Sequence, residues 1–408
     1  MVRVEPFKAI RPAEKLADQV ACLPYDVLNS NEARELAKDN PYSYFHIDKA
    51  EIDLPEDLSP YDEKVYQKAA DNLADFLTKE WLQKDQQDYF YLYQLTMNGR
   101  SQTGIVAATA IDDYTSGKIK KHEFTRHEKE IDRMNHIRAT DANTSPIFLS
   151  YRQKADIQGL LKDWQANHTP IYDFTSFHDV DHKVWQIDDP ATIEKLKNDF
   201  KEVEALYIAD GHHRTESAVK IGLEKRAQGK NSPESERFLS IIFPDDELAI
   251  LEYNRVLKVA PPENFWSTIE QYFTVTKNGV KKPVQAGDIS YYDGQDWYTL
   301  TIKTELVADD PVESLDVAYL QAHVFQEIFD IQDIRTDKRI DFVGGIRGTD
   351  ELEKLVDAGE FQLAFSMYPT AMSDLLAVAD AGKIMPPKST WFEPKLLSGL
   401  FLHDLETK

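Results

Sequence analysis

The sequence predicts an α+β fold built on a mixed sheet. Residues 205–209 form an apolar run of strand length, and past one glycine Thr215, Ala218, Val219, Gly222 and Leu223 set a helical period to about Lys225. Residues 89–97 alternate in strand fashion, Asn98-Gly99 supplies a hairpin turn, and 102–111 returns antiparallel. From Pro261 onward, short strands and helices follow one another, with an Asp293-Gly294 turn between two of the strands.

The elements follow in chain order. Val2, Val4 and Ile10 open an irregular strand that ends at Arg11-Pro12. Leu23-Pro24-Tyr25-Asp26-Val27 reads as strand into turn, because Pro24 holds Leu23 extended. Asn29-Ser30-Asn31 caps a short helix over 32–38, and residues 44–47 read as a strand. An acidic loop over 48–60 precedes a helix over 61–79, carried by Val65, Ala69, Leu73, Phe76 and Leu77. The charge-dense stretch 117–143 reads as a helix with a polar face, broken at Thr144-Ser145-Pro146. A strand at 147–149, a helix at 157–164, a strand at 183–187 and a helix at 192–202 lead into the central unit. After it, 238–243 and 248–253 read as a hairpin. The last part holds helices at 264–272, 315–328, 350–358 and 373–382, and strands at 273–276, 289–292, 298–302 and 361–367. Three regions result: 1–116 with the hairpin, 117–260 with the central unit, and 261–408, whose end returns to the core as a strap.

A chain of 408 residues with 42% apolar content can bury a large core. No apolar run approaches the ~20 residues that span a bilayer, and the N-terminal stretch lacks a signal-peptide core. Cys22 is the only cysteine, which excludes an intrachain disulfide and a cysteine zinc site. The expected location is the cytoplasm. Acidic residues outnumber basic ones 71 to 47, a net charge of −24, which argues against nucleic acid as partner. A homo-oligomer stays open.

The chemistry concentrates at Asp210-Gly211-His212-His213-Arg214, with Thr215 behind. A glycine between strand and helix aims first-turn N–H groups at an anion, and the helix dipole favours negative charge there. Imidazole moves protons near neutral pH, and guanidinium clamps phosphate. A second cluster holds His122, Glu123, Thr125, Arg126, His127 and Glu128, with Asp132, Arg133 and His136 behind. On a helix, His122 and Arg126 would share a face, as would Glu123 and His127. A metal held by Glu123 and His127 with His212 or His213 does not match a zinc spacing, so no metal ligands are assigned. The stretch also fits a solvated charged face. A third cluster, Lys388, Ser389, Thr390, Lys395 and Ser398, offers ammonium and hydroxyls to an anion but is no P-loop; Trp391, Phe392 and Leu396 fit a packing strap. Asp26 is a candidate base after a strand end, and the glycine-rich 344–348 fits a turn or a phosphate cradle.

Leu23–Val27, the His122-Glu123-Phe124-Thr125 to Asp132-Arg133 stretch, Ala209–Arg214, and Met385–Thr390 through Gly399-Leu400 together resemble the family called domain of unknown function 1015. The central motif alone resembles the ParB/sulfiredoxin-like superfamily, which includes nucleotide-binding partition proteins and a free serine kinase. That resemblance implies a ParB/sulfiredoxin-like core and a nucleotide, ADP or ATP, and phosphoryl transfer often brings Mg²⁺ with it. The combined expectation is phosphoryl transfer to or from a small anionic metabolite of serine or phosphoserine type. Asp210, His212, His213, Glu123 and Asp26 would be the catalytic set. Gly211, Arg214, Thr215, Arg126, Lys388, Ser389 and Thr390 would bind the cofactor. A non-catalytic ParB-like nucleotide sensor is the alternative, ahead of a metal-dependent hydrolase or nuclease. Sulfiredoxin chemistry needs a cysteine where this turn has histidine.

Overall fold

A computed structural model describes residues 1–406. Contacts gather the chain into two compact units: residues 1–120, 124–248 and 394–408, and residues 121–123 with 249–393. These units cut across the three regions drawn from the sequence, because strands of the first and second regions pair in one sheet.

That sheet, in the first unit, runs in the order Ile119–Lys120, Leu206–Asp210, Ile147–Tyr151, Arg237–Pro244, Arg100–Ala110, Phe90–Met97, Val180–Ile187 and Tyr172–Ser176, with Val4–Glu5 against Arg100–Ala110. It is mixed: Leu206–Asp210 pairs parallel with Ile119–Lys120 and antiparallel with Ile147–Tyr151, which in turn pairs parallel with Arg237–Pro244. One face buries Leu92, Ile105, Leu149, Ile208 and Ile242 against Leu161, Leu196, Phe200, Ala218 and Ile221 of three helices, Ala155–Asn167, Pro190–Lys201 and His212–Ala227. Each such Leu, Ile or Phe side chain contributes about 1.5–3 kcal/mol. A second sheet joins Leu82–Lys84, Ala9–Pro12, Leu402–Asp404 and Ala142–Asn143.

The second unit holds a six-stranded antiparallel sheet in the order Phe273–Lys277, Trp297–Ile302, Asp288–Tyr292, Leu363–Ser366, Tyr253–Leu257 and Ile340–Gly344. Leu352 and Val356 of the helix Gly348–Asp357 pack on Val256, Tyr292, Trp297 and Ala364. Among the described residues, no helix is long and apolar enough to cross a membrane.

Three local expectations are corrected. Residues 44–47 read as a strand, but Phe45–Asp48 is a helical turn in which Phe45, Ile47 and Asp48 are all buried. A short run packed on every side carries no period to tell strand from helix. The helix expected over 117–143 begins only at His127. Upstream, Ile119–Lys120 is an edge strand on Leu206-Tyr207, so the facing of His122 with Arg126 and of Glu123 with His127 on a helix does not arise. The hairpin at 238–253 is absent as well. Arg237–Pro244 pairs with Arg100–Ala110 and Ile147–Tyr151, whereas Tyr253–Leu257 pairs with Ile340–Gly344 and Leu363–Ser366.

Candidate functional site

Leu206–Asp210 ends at Gly211, whose φ of 91° and ψ of 34° are left-handed backbone that a residue with a Cβ adopts only under strain. The helix His212–Ala227 starts there, with no side chain capping its first turn. A Cβ on Gly211 would lie 3.0 Å from Arg214 Nε and 3.1 Å from its Cζ, so the guanidinium packs directly on the glycine.

Arg214 is only 7% exposed. Its Nη1 donates to the Pro146 carbonyl at 2.5 Å, its Nη2 lies 3.8 Å from Asp210 Oδ2, and its Nε has no partner. Burial works against its charge, but the Asp26 and Asp210 carboxylates more than restore it. The Asp210 carboxylate keeps 35% of its side chain open, accepts the Gly211 N–H at 2.8 Å and lies 3.5 Å from Lys395 Nζ. Burial pushes its pKa up. Lys395, Arg214 and the Gly211 N–H outweigh that and hold it well below the usual carboxylate range. Asp210 is therefore a fixed anion, not a proton carrier.

The Arg126 N–H donates to His213 Nε2 at 2.9 Å, which leaves the ring proton on Nδ1. Burial, then the Arg126 charge, hold the His213 pKa below its ordinary value. Thr215 is fully buried and its hydroxyl donates to the Gly211 carbonyl at 3.0 Å, so it fastens the first turn. His212 is buried beside it.

Arg126 stands just before the helix His127–Thr140, which also lacks a side-chain cap. This helix runs alongside His212–Ala227 in the same direction. The contacts advance together, from Arg126 with His213, through Glu130 with Ser217 and Lys220, to Arg138 with Glu224. Two helix N-termini therefore open at one place, and their dipoles add there.

Asp26 reaches the same place from a turn closed by Val27 N–H to the Pro24 carbonyl at 3.1 Å. The turn is anchored by the helix Ser30–Ala37, where Asn29 accepts from Asn31 and Glu32 and the Glu32 carboxylate accepts from Asn29 N. Asp26 is exposed, and its charge acts on both Arg214 and His213. Beneath it, the Arg133 guanidinium lies 3.9 Å from the Tyr25 ring centre. Arg133 Nε meets Asp132 at 2.9 Å and Nη1 meets Asp48 at 3.4 Å. Tyr66 donates to Asp132 at 3.0 Å, and Ser145 donates to Asp48 at 2.9 Å. Ser145 also pairs with Ser398 at 3.1 Å.

The structure thus brings Asp26, Arg126, Asp210, Gly211, His213 and Arg214 together. Glu123, Lys388, Ser389 and Thr390 belong to the second unit. There Lys388 donates to the Tyr253 hydroxyl at 3.2 Å, Arg255 donates to the Lys388 carbonyl at 3.0 Å, and Ser389 donates to the Pro386 carbonyl at 2.6 Å. Among the described residues, no group of three or more His, Cys, Asp or Glu could hold a metal ion. Sequence reasoning missed Asp48, Tyr66 and Ser145. Ser145 lay in a recognised break, but nothing near Asp48 or Tyr66 in sequence marks them.

Solved structures similar to this chain include SbnI with a C-terminal truncation from Staphylococcus aureus, at 13% identity and a TM-score of 0.38, covering 72% of this chain and 85% of that one. A free serine kinase variant in complex with ADP aligns at 13% identity and a TM-score of 0.36, covering 72% and 88%. A conserved hypothetical protein from Pyrococcus furiosus aligns at 15% identity and a TM-score of 0.33, covering 73% and 95%. Likeness at this level carries no statement about chemistry. No curated protein matches the sequence. The family model described as protein of unknown function (DUF1015) matches residues 4–318, and the chain belongs to that family.

Proposed function

We propose that this chain transfers phosphoryl groups to or from a small anionic metabolite, with the phosphates of ADP or ATP held at the Gly211 corner. One observation carries the reading: two uncapped helix N-termini, led by Arg126 and Gly211, open side by side over the buried Arg214 guanidinium. Phosphoryl transfer needs mainly positioning and charge neutralisation, and this corner supplies both. Asp26 is the base in this reading. It is exposed, and it is not locked between cations as Asp210 is. His213 donates from Nδ1, because its Nε2 is occupied. Among the described residues no cluster of carboxylates would hold Mg²⁺ by itself, so the ion would be held chiefly by the nucleotide phosphates and would neutralise their charge. The serine-type substrate rests on the superfamily resemblance of the Asp-Gly-His-His-Arg motif alone.

A second reading, nucleotide binding without turnover, is favoured by the place of Asp210 between Lys395 and Arg214 and by the occupied Nε2 of His213. Calorimetry with ADP and ATP, with and without Mg²⁺, tests the site. Phosphorus NMR of serine and phosphoserine incubations tests turnover. Arg126→Ala is expected to weaken nucleotide binding by about tenfold or more, the worth of a hydrogen bond to a charged group. Asp26→Asn is expected to keep binding and lose turnover. Binding without turnover in the wild type selects the second reading. Absence of any nucleotide or phosphometabolite binding sinks both.

A further inference from the structure

Aromatic exposure in the described chain is confined to one place. Among the described residues, Phe124 and Tyr61 are the only Phe, Tyr or Trp side chains that stand exposed, at 64% and 51%. Scattered single apolar residues on a surface need no explanation, but these two meet the start of the same helix, His127–Thr140. Tyr61 is engaged there. Its hydroxyl accepts from Lys129 Nζ at 3.1 Å, and the ammonium lies 5.6 Å from its ring centre. Phe124 has no ring or cation partner among the described residues.

The phenyl nevertheless projects from an anchored stretch. Arg126 is extended backbone, at φ −100° and ψ 128°, and its N–H is tied to His213 Nε2 at 2.9 Å. Thr125 turns toward the helix, where its hydroxyl donates to Glu130. Glu130 is itself buried and accepts from Lys220 Nζ at 2.5 Å. Phe124 is the residue before Thr125, and its ring stands in solvent. Two residues of extended chain span at most about 7 Å, so the Phe124 Cα lies within that reach of Arg126 and the Gly211 corner.

An open aromatic ring beside a cationic corner matches a ligand that is anionic at one end and flat at the other. A nucleoside diphosphate or triphosphate has that form, with its phosphates and base joined through one sugar. Every base has a π-face that stacks on an aromatic side chain, whatever its hydrogen-bonding edge. We propose that Phe124 is the platform on which the purine base of a nucleotide stacks while its phosphates occupy the Gly211 corner. The inference rests on that corner being a nucleotide phosphate site, with or without turnover, and adds the residue that recognises the base.

The test is calorimetry on the full chain with ADP and with pyrophosphate, which offers the corner a diphosphate without a base. The proteins are the wild type, Phe124→Ala and Phe124→Trp; substitution at so exposed a position leaves folding intact. Phe124→Ala is expected to weaken ADP binding by about five- to hundredfold, the worth of one base stacked on one ring, and to leave pyrophosphate binding unchanged. Phe124→Trp is expected to keep ADP binding. Proton NMR reads the stacking itself: the adenine H2 and H8 lines should move upfield on binding to the wild type, and much less on binding to Phe124→Ala. ADP binding that Phe124→Ala leaves unchanged, while Arg126→Ala weakens it, overturns the platform and spares the corner. Equal loss of ADP and pyrophosphate gives the ring a part in shaping the corner and also overturns the platform. Self-association that Phe124→Ala abolishes, at unchanged ADP affinity, assigns the ring to a second copy of the chain instead. If neither ADP nor pyrophosphate binds the wild type, the corner reading fails and the platform with it.

Discussion

Replacing Gly211 with alanine tests the central corner most directly. The backbone there has φ 91°, and an L residue in left-handed geometry costs about 1–2 kcal/mol. The new methyl would also sit 3.0–3.2 Å from Nε, Cζ and Nη2 of Arg214, tighter than most carbon contacts. The guanidinium has to give by a few tenths of an ångström, which strains its 2.5 Å bond to the Pro146 carbonyl. Complete loss of a hydrogen bond from a charged donor costs about 1.5–3 kcal/mol, which caps the total at about 5 kcal/mol. Urea unfolding followed by tryptophan fluorescence reads this directly, since Trp164 and Trp185 lie in the core of the first unit. The two contributions separate in a double-mutant cycle with Arg214→Ala. With the guanidinium gone, Gly211→Ala should cost only the backbone share of about 1–2 kcal/mol. An equal cost in both backgrounds refutes the packing argument. A cost below about 0.5 kcal/mol in the wild type refutes the backbone argument as well.

Two further outcomes follow from buried charge. Arg133→Met leaves Asp48 and Asp132 buried without their shared cation, and should cost about 3–5 kcal/mol in the same unfolding assay; Asp48→Asn added to it should recover part of the loss, and a cost under about 1 kcal/mol would contradict the pairing. His182 stacks between Tyr93 and Phe174, with its ring nitrogens on Tyr93 and Ser176. Burial pushes its pKa down from 6.5 to about 4. The folded chain favours the neutral ring, so its contribution is complete above pH 6.5 and is lost as pH falls toward 4, by up to roughly 3 kcal/mol at 1.36 kcal/mol per unit. His182→Phe should flatten that stretch of the stability-against-pH curve; an unchanged slope assigns the acid sensitivity elsewhere.

The strand, glycine and helix at 205–225 were legible because each signal is local: an apolar run, a residue free of Cβ strain, then a 3.6-residue period. The hairpin at Asn98-Gly99 was legible for the same reason. The edge strand Ile119–Lys120 was not, since its pairing is with residues 206–207, far along the chain. Within the site, Asp26, Arg126, Asp210, His213 and Arg214 stood out by residue type and motif. Asp48 and Tyr66 did not, because a carboxylate or phenol reads as a solvent-facing group until its buried partner is seen.

By itself, the sequence determined the mixed α+β class, the glycine between strand and helix and the set of charged and imidazole groups gathered at one helix start. Those depend on spacing and side-chain chemistry, which any stretch of chain carries with it. Only the tertiary structure decided that a second helix would open beside the first, that Arg214 would be buried on Gly211, and that Asp210 would be locked between cations. Pairing between distant segments is set by which surfaces bury each other, and no local pattern encodes that choice.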